Sequence, residues 1–165
     1  MNKKRVAMIG CGGIGGYHLS HLLQFGDIID LVGFCDLIPE RAQGFAEQAG
    51  CGETFTDFRK MYDAVHPDAV FICVPPTCHG EIEFETIERS IPFFVEKPLT
   101  LDLKLAQEIL RRWRAEMEAG KFEDISTRWC DMKGGCVSSK GYPRPCTEDR
   151  LLACIKRWLQ QPAEG

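Results

Sequence analysis

The residues whose types and spacing suit chemistry fall in three short runs of this 165-residue chain. The first is Gly10-Cys11-Gly12-Gly13-Ile14-Gly15, a GxGxxG pattern. In a strand–turn–helix setting, each glycine has a mechanical use. Gly10 lets the chain turn sharply, Gly12 lets the backbone approach a pyrophosphate, and Gly15 lets the helix pack close to the sheet. Gly13 and Ile14 open that helix, whose free N–H groups and positive end suit a phosphate. Asp36 lies 21 residues after Gly15, at the end of the next apolar run. A carboxylate there accepts hydrogen bonds from an adenosine ribose and repels a 2′-phosphate. Leu37 and Ile38 offer no cation, so NAD is favoured over NADP. Arg41, one helical turn on, is the single group that argues the other way.

The second run, Val74-Pro75-Pro76-Thr77-Cys78-His79, follows an apolar stretch. Ligands of open α/β sheets sit beyond such strand ends, so Pro75 and His79 are candidates to line a cofactor. The third run, Pro92–Leu99, is an apolar strand ending in Glu96, Lys97 and Pro98. Lys97 would project at the same sheet edge as the glycine turn, and a Lys-Pro bond is cis at low cost. His18 and His21 read as packing or surface residues of the first helix. No HxxxH or CxxC pair occurs, so no metal site is expected.

These runs act together only if one sheet brings them to one edge. The patterning predicts such a sheet. Apolar runs at Arg5–Ile9, Ile28–Cys35, Thr54–Phe55, Ala69–Val74 and Pro92–Val95 read as strands. Between them, Ile14–Phe25, Pro39–Ala49, Asp57–Tyr62 and Cys78–Arg89 read as helices, and Asp102–Arg112 as a last one. Continuous apolar strands alternating with helices imply an α/β fold, a Rossmann-type doubly wound parallel sheet. The rhythm stops near Trp113, which predicts a dinucleotide-binding domain over 1–113. An irregular C-terminal tail follows over 114–165, loop-rich with one helix near 148–160. The first 113 residues carry 11 basic and 16 acidic side chains, the remainder 9 and 8.

Composition excludes other classes. With 44% hydrophobic and 27% charged residues the chain is globular in type. A net charge of −4 and a pI near 5.6 do not suit a nucleic-acid binder. No apolar run approaches the ~20 residues of a bilayer span. The basic N-terminus leads into a short apolar stretch and then glycines, unlike a secretory leader. A cytoplasmic protein is expected. Its nine cysteines are then reduced thiols, with Cys35 and Cys73 serving as small apolar strand residues.

Taken together, residues 4–112 resemble the Gfo/Idh/MocA family of NAD(P)-dependent oxidoreductases. The resemblance rests on GCGGIG with His18 three residues after Gly15, on Cys35-Asp36, on VPPTCH ending at His79, and on EKPL at Glu96–Leu99. Ser90 stands where the family usually has glycine. The resemblance implies hydride transfer between NAD and a sugar or cyclitol alcohol, in proteins about twice as long. It implies that Lys97 is catalytic and, with Glu96, Pro75 and His79, lies on the nicotinamide side, commonly with a cis bond after Lys97. It further implies a second domain that holds the polyol and supplies a catalytic histidine and the subunit interface. No histidine follows His79. The expectation is therefore a truncated dehydrogenase with absent or very slow turnover alone. The alternative is a dinucleotide-binding module without turnover or a frameshifted product. An oligomer is compatible with either.

Overall fold

A computed structural model describes residues 3–120. The tail helix near 148–160, and the cysteines beyond Cys78, lie outside the described residues. Five strands, β1 (Lys4–Ile9), β2 (Ile29–Cys35), β3 (Glu53–Phe55), β4 (Ala69–Ile72) and β5 (Phe93–Val95), form one parallel sheet in the order β3-β2-β1-β4-β5. They alternate with α1 (Gly13–Leu22), α2 (Pro39–Ala49), α3 (Phe58–Val65) and α4 (Glu81–Glu88), and α5 (Leu103–Glu118) follows β5. The order reverses at β1. Right-handed crossovers therefore place α1 and α2 on one face, and α3 and α4 on the other.

The burial pattern follows. Ala7, Ile9, Val70 and Ile72 point to α3 and α4, where they pack with Met61, Tyr62, Val65 and Ile82. Strand neighbours on the opposite face include Phe34, edge-to-face with Phe45 of α2, and Phe71, stacked on Phe94. The β1–β2 register slips between Val6 and Ala7, a bulge that leaves the strand ends aligned at Ile9 and Cys35. On the α3–α4 face the Tyr62 hydroxyl meets Thr86 Oγ1 at 2.7 Å. Arg59 bridges α3 to Glu81 and Glu85 of α4, and the two guanidiniums of Arg89 and Arg59 hold the Glu85 carboxyl below its usual range.

Several expected boundaries move: α1 ends at Leu22 with a 3-10 turn to Phe25, and α3 runs past Tyr62 to Val65. The strand read over Ala69–Val74 ends at Ile72. The helix read from Cys78 begins only at Glu81, after a 3-10 turn over Pro76–Cys78. Gly80 takes φ 119° and its N–H is held by Glu83, so the helix cannot start earlier. The last helix runs on past Arg112 to Glu118. Asp102 caps it through Lys104 N, and Arg112 over Phe84 ties it to α4. Ser90 sits at φ 55°, a left-handed turn position that suits glycine. No described helix is long and apolar enough to cross a membrane.

Candidate functional site

The strand ends on the reversal of order form a cleft of about 750 Å³. At its centre the chain leaves β1 at Gly10, with φ 88°. A Cβ on Gly10 would meet the Cys73 carbonyl oxygen at 2.4 Å, and one on Gly15 would meet the Gly10 carbonyl oxygen at 2.3 Å. Both glycines are therefore demanded by the protein's own backbone. Gly12 and Gly13 are different. Gly12 is extended, at φ −88° and ψ −166°, and a Cβ on either residue would meet nothing within 4 Å. Nothing in the fold asks for glycine there. The open space above these residues, at the first turn of α1, fits a pyrophosphate lying on the backbone.

At the β2 end, Asp36 Oδ2 accepts the Cys11 N–H at 2.8 Å and Oδ1 accepts the Ile38 N–H at 2.9 Å. Each oxygen keeps a lone pair for a ribose hydroxyl. Leu37, Ile38 and Arg41 complete that wall. At the β4 and β5 ends stand Val74, Pro75, Glu96 and Lys97. Glu96 N–H continues the ladder to Ile72 O at 3.0 Å, and Lys97 is exposed, with a cis bond to Pro98.

The cleft thus gathers eight of the residues singled out from sequence: Gly10, Gly12, Gly13, Ile14, Asp36, Pro75, Glu96 and Lys97. Gly15 lies beneath it as a packing glycine. His79 does not line it. Its ring is buried, Nδ1 donates to Glu83 Oε1 at 2.6 Å, and Nε2 has no partner among the described residues. His79 and the fully buried Glu83 fix the entry to α4, and so shape the cleft from behind. His18, expected to be a packing or a surface residue, is buried, and its Nε2–H donates to Glu96 Oε1 at 2.6 Å. The sequence reading passed over Thr56, Phe58 and Glu81, which also line the cleft. Thr56 directly follows β3, so the strand-end rule that found Asp36 applies to it as well.

Three buried thiols lie near these strand ends. Burial, followed by Asp36, pushes Cys11 up to about 12. Burial also pushes Cys35 and Cys73 up to about 12, with Asp57 and Glu96 as the next causes. All five described cysteines are free, and no group of ligating side chains among the described residues could hold a metal.

A parallel sheet with a glycine turn at its order reversal, an acid ending β2 and a helix N-terminus over open backbone defines a dinucleotide-binding Rossmann domain. Comparison with known proteins gives its lineage. The profile of the oxidoreductase family with an NAD-binding Rossmann fold, Gfo/Idh/MocA, matches residues 4–119. The chain belongs to that family and carries its NAD-binding domain. It is 30% identical over 132 residues to scyllo-inositol 2-dehydrogenase (NAD(+)) of Bacillus subtilis strain 168, covering 78% of this chain and 39% of that one. It is 34% identical over 117 residues to inositol 2-dehydrogenase 4 of Saccharopolyspora erythraea, covering 71% and 34%. The WlbA dehydrogenase of Bordetella pertussis, solved with NADH and UDP-GlcNAcA, shares the fold at a TM-score of 0.65 and 24% identity, over 70% of this chain and 35% of that one. The chain therefore spans little more than a third of the length of such relatives.

Proposed function

We propose that the chain binds NAD in preference to NADP and serves hydride transfer to or from a sugar or cyclitol alcohol. The observation that carries the reading is the cleft's layout. Asp36 stands on one side of the glycine turn, and Glu96 and Lys97 stand on the other. A dinucleotide with its pyrophosphate over Gly12 and Gly13 has its adenosine at β2 and its nicotinamide half toward β4 and β5. NAD, when bound, supplies the hydride acceptor. Asp36 would hold the adenosine ribose and repel a 2′-phosphate. Pro75 and Val74 would shield the nicotinamide half from water. Lys97 Nζ, exposed at the rim, is the group to hold or move the proton of a substrate hydroxyl. The polyol class rests on the inositol dehydrogenases among the relatives, and a cytoplasmic setting suits the free thiols.

Titration of the 165-residue chain with NADH and NADPH, followed by nucleotide fluorescence, tests the cofactor half. NADH is expected to bind at least ~10-fold more tightly, and equal affinity would remove Asp36 from its role. A panel of inositols and hexoses with NAD, followed by NADH absorbance, tests the rest. Slow oxidation that stops in Lys97→Ala supports the reading. Equal rates in both proteins would take Lys97 out of it.

A further inference from the structure

The pair between His18 and Glu96 has no part in the reading so far. His18 lies on the buried side of α1 with Gly15, Leu19 and Leu22. Its ring sits against Phe71 and Phe94, with centroids 5.8 and 5.0 Å away. In such surroundings a leucine or phenylalanine would pack as well as an imidazole. What the imidazole adds is one N–H, donated at 2.6 Å to Glu96 Oε1. The two side chains are only 7% and 12% exposed. A polar pair so far out of water gives little net stability over apolar groups of the same shape. Its contribution is direction. The second oxygen, Oε2, accepts the Lys97 N–H at 3.1 Å, while the Glu96 N–H is held by Ile72. Glu96 is thus fixed through its main chain by β4 and through its side chain by α1. The residue it orients next is Lys97.

We propose that His18 is a positioning residue. Through Glu96 it sets the Glu96–Lys97 corner, and so couples the helix that holds the pyrophosphate to the nicotinamide side of the cleft. The proposal rests on the reading of Glu96 and Lys97 as that side. His18 lies beneath the cleft and outside its lining. Its loss should therefore leave the glycine turn and the Asp36 contacts alone and weaken only what the nicotinamide half contributes.

The 165-residue chain provides the test. NADH and ADP-ribose, which lacks the nicotinamide, are titrated by calorimetry into the native protein, His18→Phe, His18→Leu, His18→Gln and Lys97→Ala. In the Phe and Leu variants NADH is expected to bind about 5- to 10-fold more weakly, the scale of one ordinary lost hydrogen bond. ADP-ribose should stay within about 2-fold. His18→Gln, whose amide N–H reaches a similar place, should restore most of the NADH affinity. If His18→Phe does not melt cooperatively, the smaller leucine decides. Equal loss of both ligands, or no rescue by glutamine, makes His18 a packing residue and overturns the proposal. Selective NADH loss in Lys97→Ala with both apolar His18 variants unchanged also overturns it, and leaves the nicotinamide-side reading standing. No selective loss in Lys97→Ala refutes that reading and the proposal with it.

Discussion

At the β2 end of the cleft, Asp36 is held by two backbone N–H groups, those of Cys11, 25 residues away, and Ile38, two residues away. At the β5 end, Glu96 is held by the side chain of His18, 78 residues away. The first arrangement uses groups that nearly every residue supplies, so it depends on the shape of the turn and is indifferent to the side chain at position 11. The second adds to the Lys97 N–H one imidazole from a distant helix, and so needs a particular side chain at position 18. One end is thus specified by conformation and the other by residue identity.

The most severe way to break this contrast is to destroy the turn that both ends share. Gly15→Ala drives a methyl group into the Gly10 carbonyl and should cost about 3 kcal/mol of stability, with loss of NADH binding. Gly12→Ala meets nothing in the protein, so its melting temperature should stay near the native value while NADH and ADP-ribose both weaken at least ~10-fold. Thermal melts and calorimetry on the pair separate the two effects. Equal melting temperatures for the two variants would show that the turn is more compliant than its contacts imply.

Asp36→Ala sharpens the contrast from one side. The ribose loses a charge-assisted partner, so NADH and ADP-ribose should weaken together by about 10- to 100-fold. NADPH should weaken less, which narrows the preference. A loss confined to NADH would place the adenosine elsewhere. Thiol labelling compares the ends without mutation. Cys11, Cys35 and Cys73 are buried and remain protonated at pH 8, since each lies near 12, whereas Cys51 and Cys78 are exposed. Peptide mass spectrometry after brief alkylation should find Cys51 and Cys78 modified and the other three intact. NADH should protect Cys78, which lines the cleft, and not Cys51. The smallest effect belongs to a control remote from both ends. Ser90→Gly relieves a left-handed backbone position and should stabilise the fold by about 1 kcal/mol. The ratio of NADH to ADP-ribose affinity should not move, and a change in it would mean that the β5 corner responds to any shift in its approach.

What was legible in the sequence divides along the same line. The turn, Asp36 and the strand rhythm are local patterns, and together they indicate a doubly wound parallel sheet; the strand order β3-β2-β1-β4-β5 itself is seen only in the folded chain. Asp57 announced α3 by its type, and it does accept the Arg59 and Lys60 N–H groups. The start of α4 was not legible. Nothing in Cys78-His79-Gly80 says that Glu83 will reach back to Gly80 and His79 and delay the helix. The partnership of His18 with Glu96 was equally hidden, because it joins a helix face to a strand end across a fold that the pattern gives only in outline. From its helical position His18 reads only as a packing or surface residue, and the folded chain alone shows what its nitrogen meets. Glu96 lines the cleft and His79 does not, since a histidine at a helix entry can turn inward to a carboxylate four residues on.

The lengths of the outer strands have a consequence for behaviour in solution. Among the described residues, β3 and β5 bound the sheet, and each has only three residues. A sheet rim recruits a foreign strand through its unpaired N–H and C=O groups. Three residues present so few of them, slanted as parallel pairing requires, that an incoming chain gains little for the order it must accept. The long, well-paired strands are kept in the middle, where no other molecule reaches their hydrogen-bonding groups. The sheet therefore tapers toward its rims, and the taper acts against edge-to-edge self-association in a crowded solution.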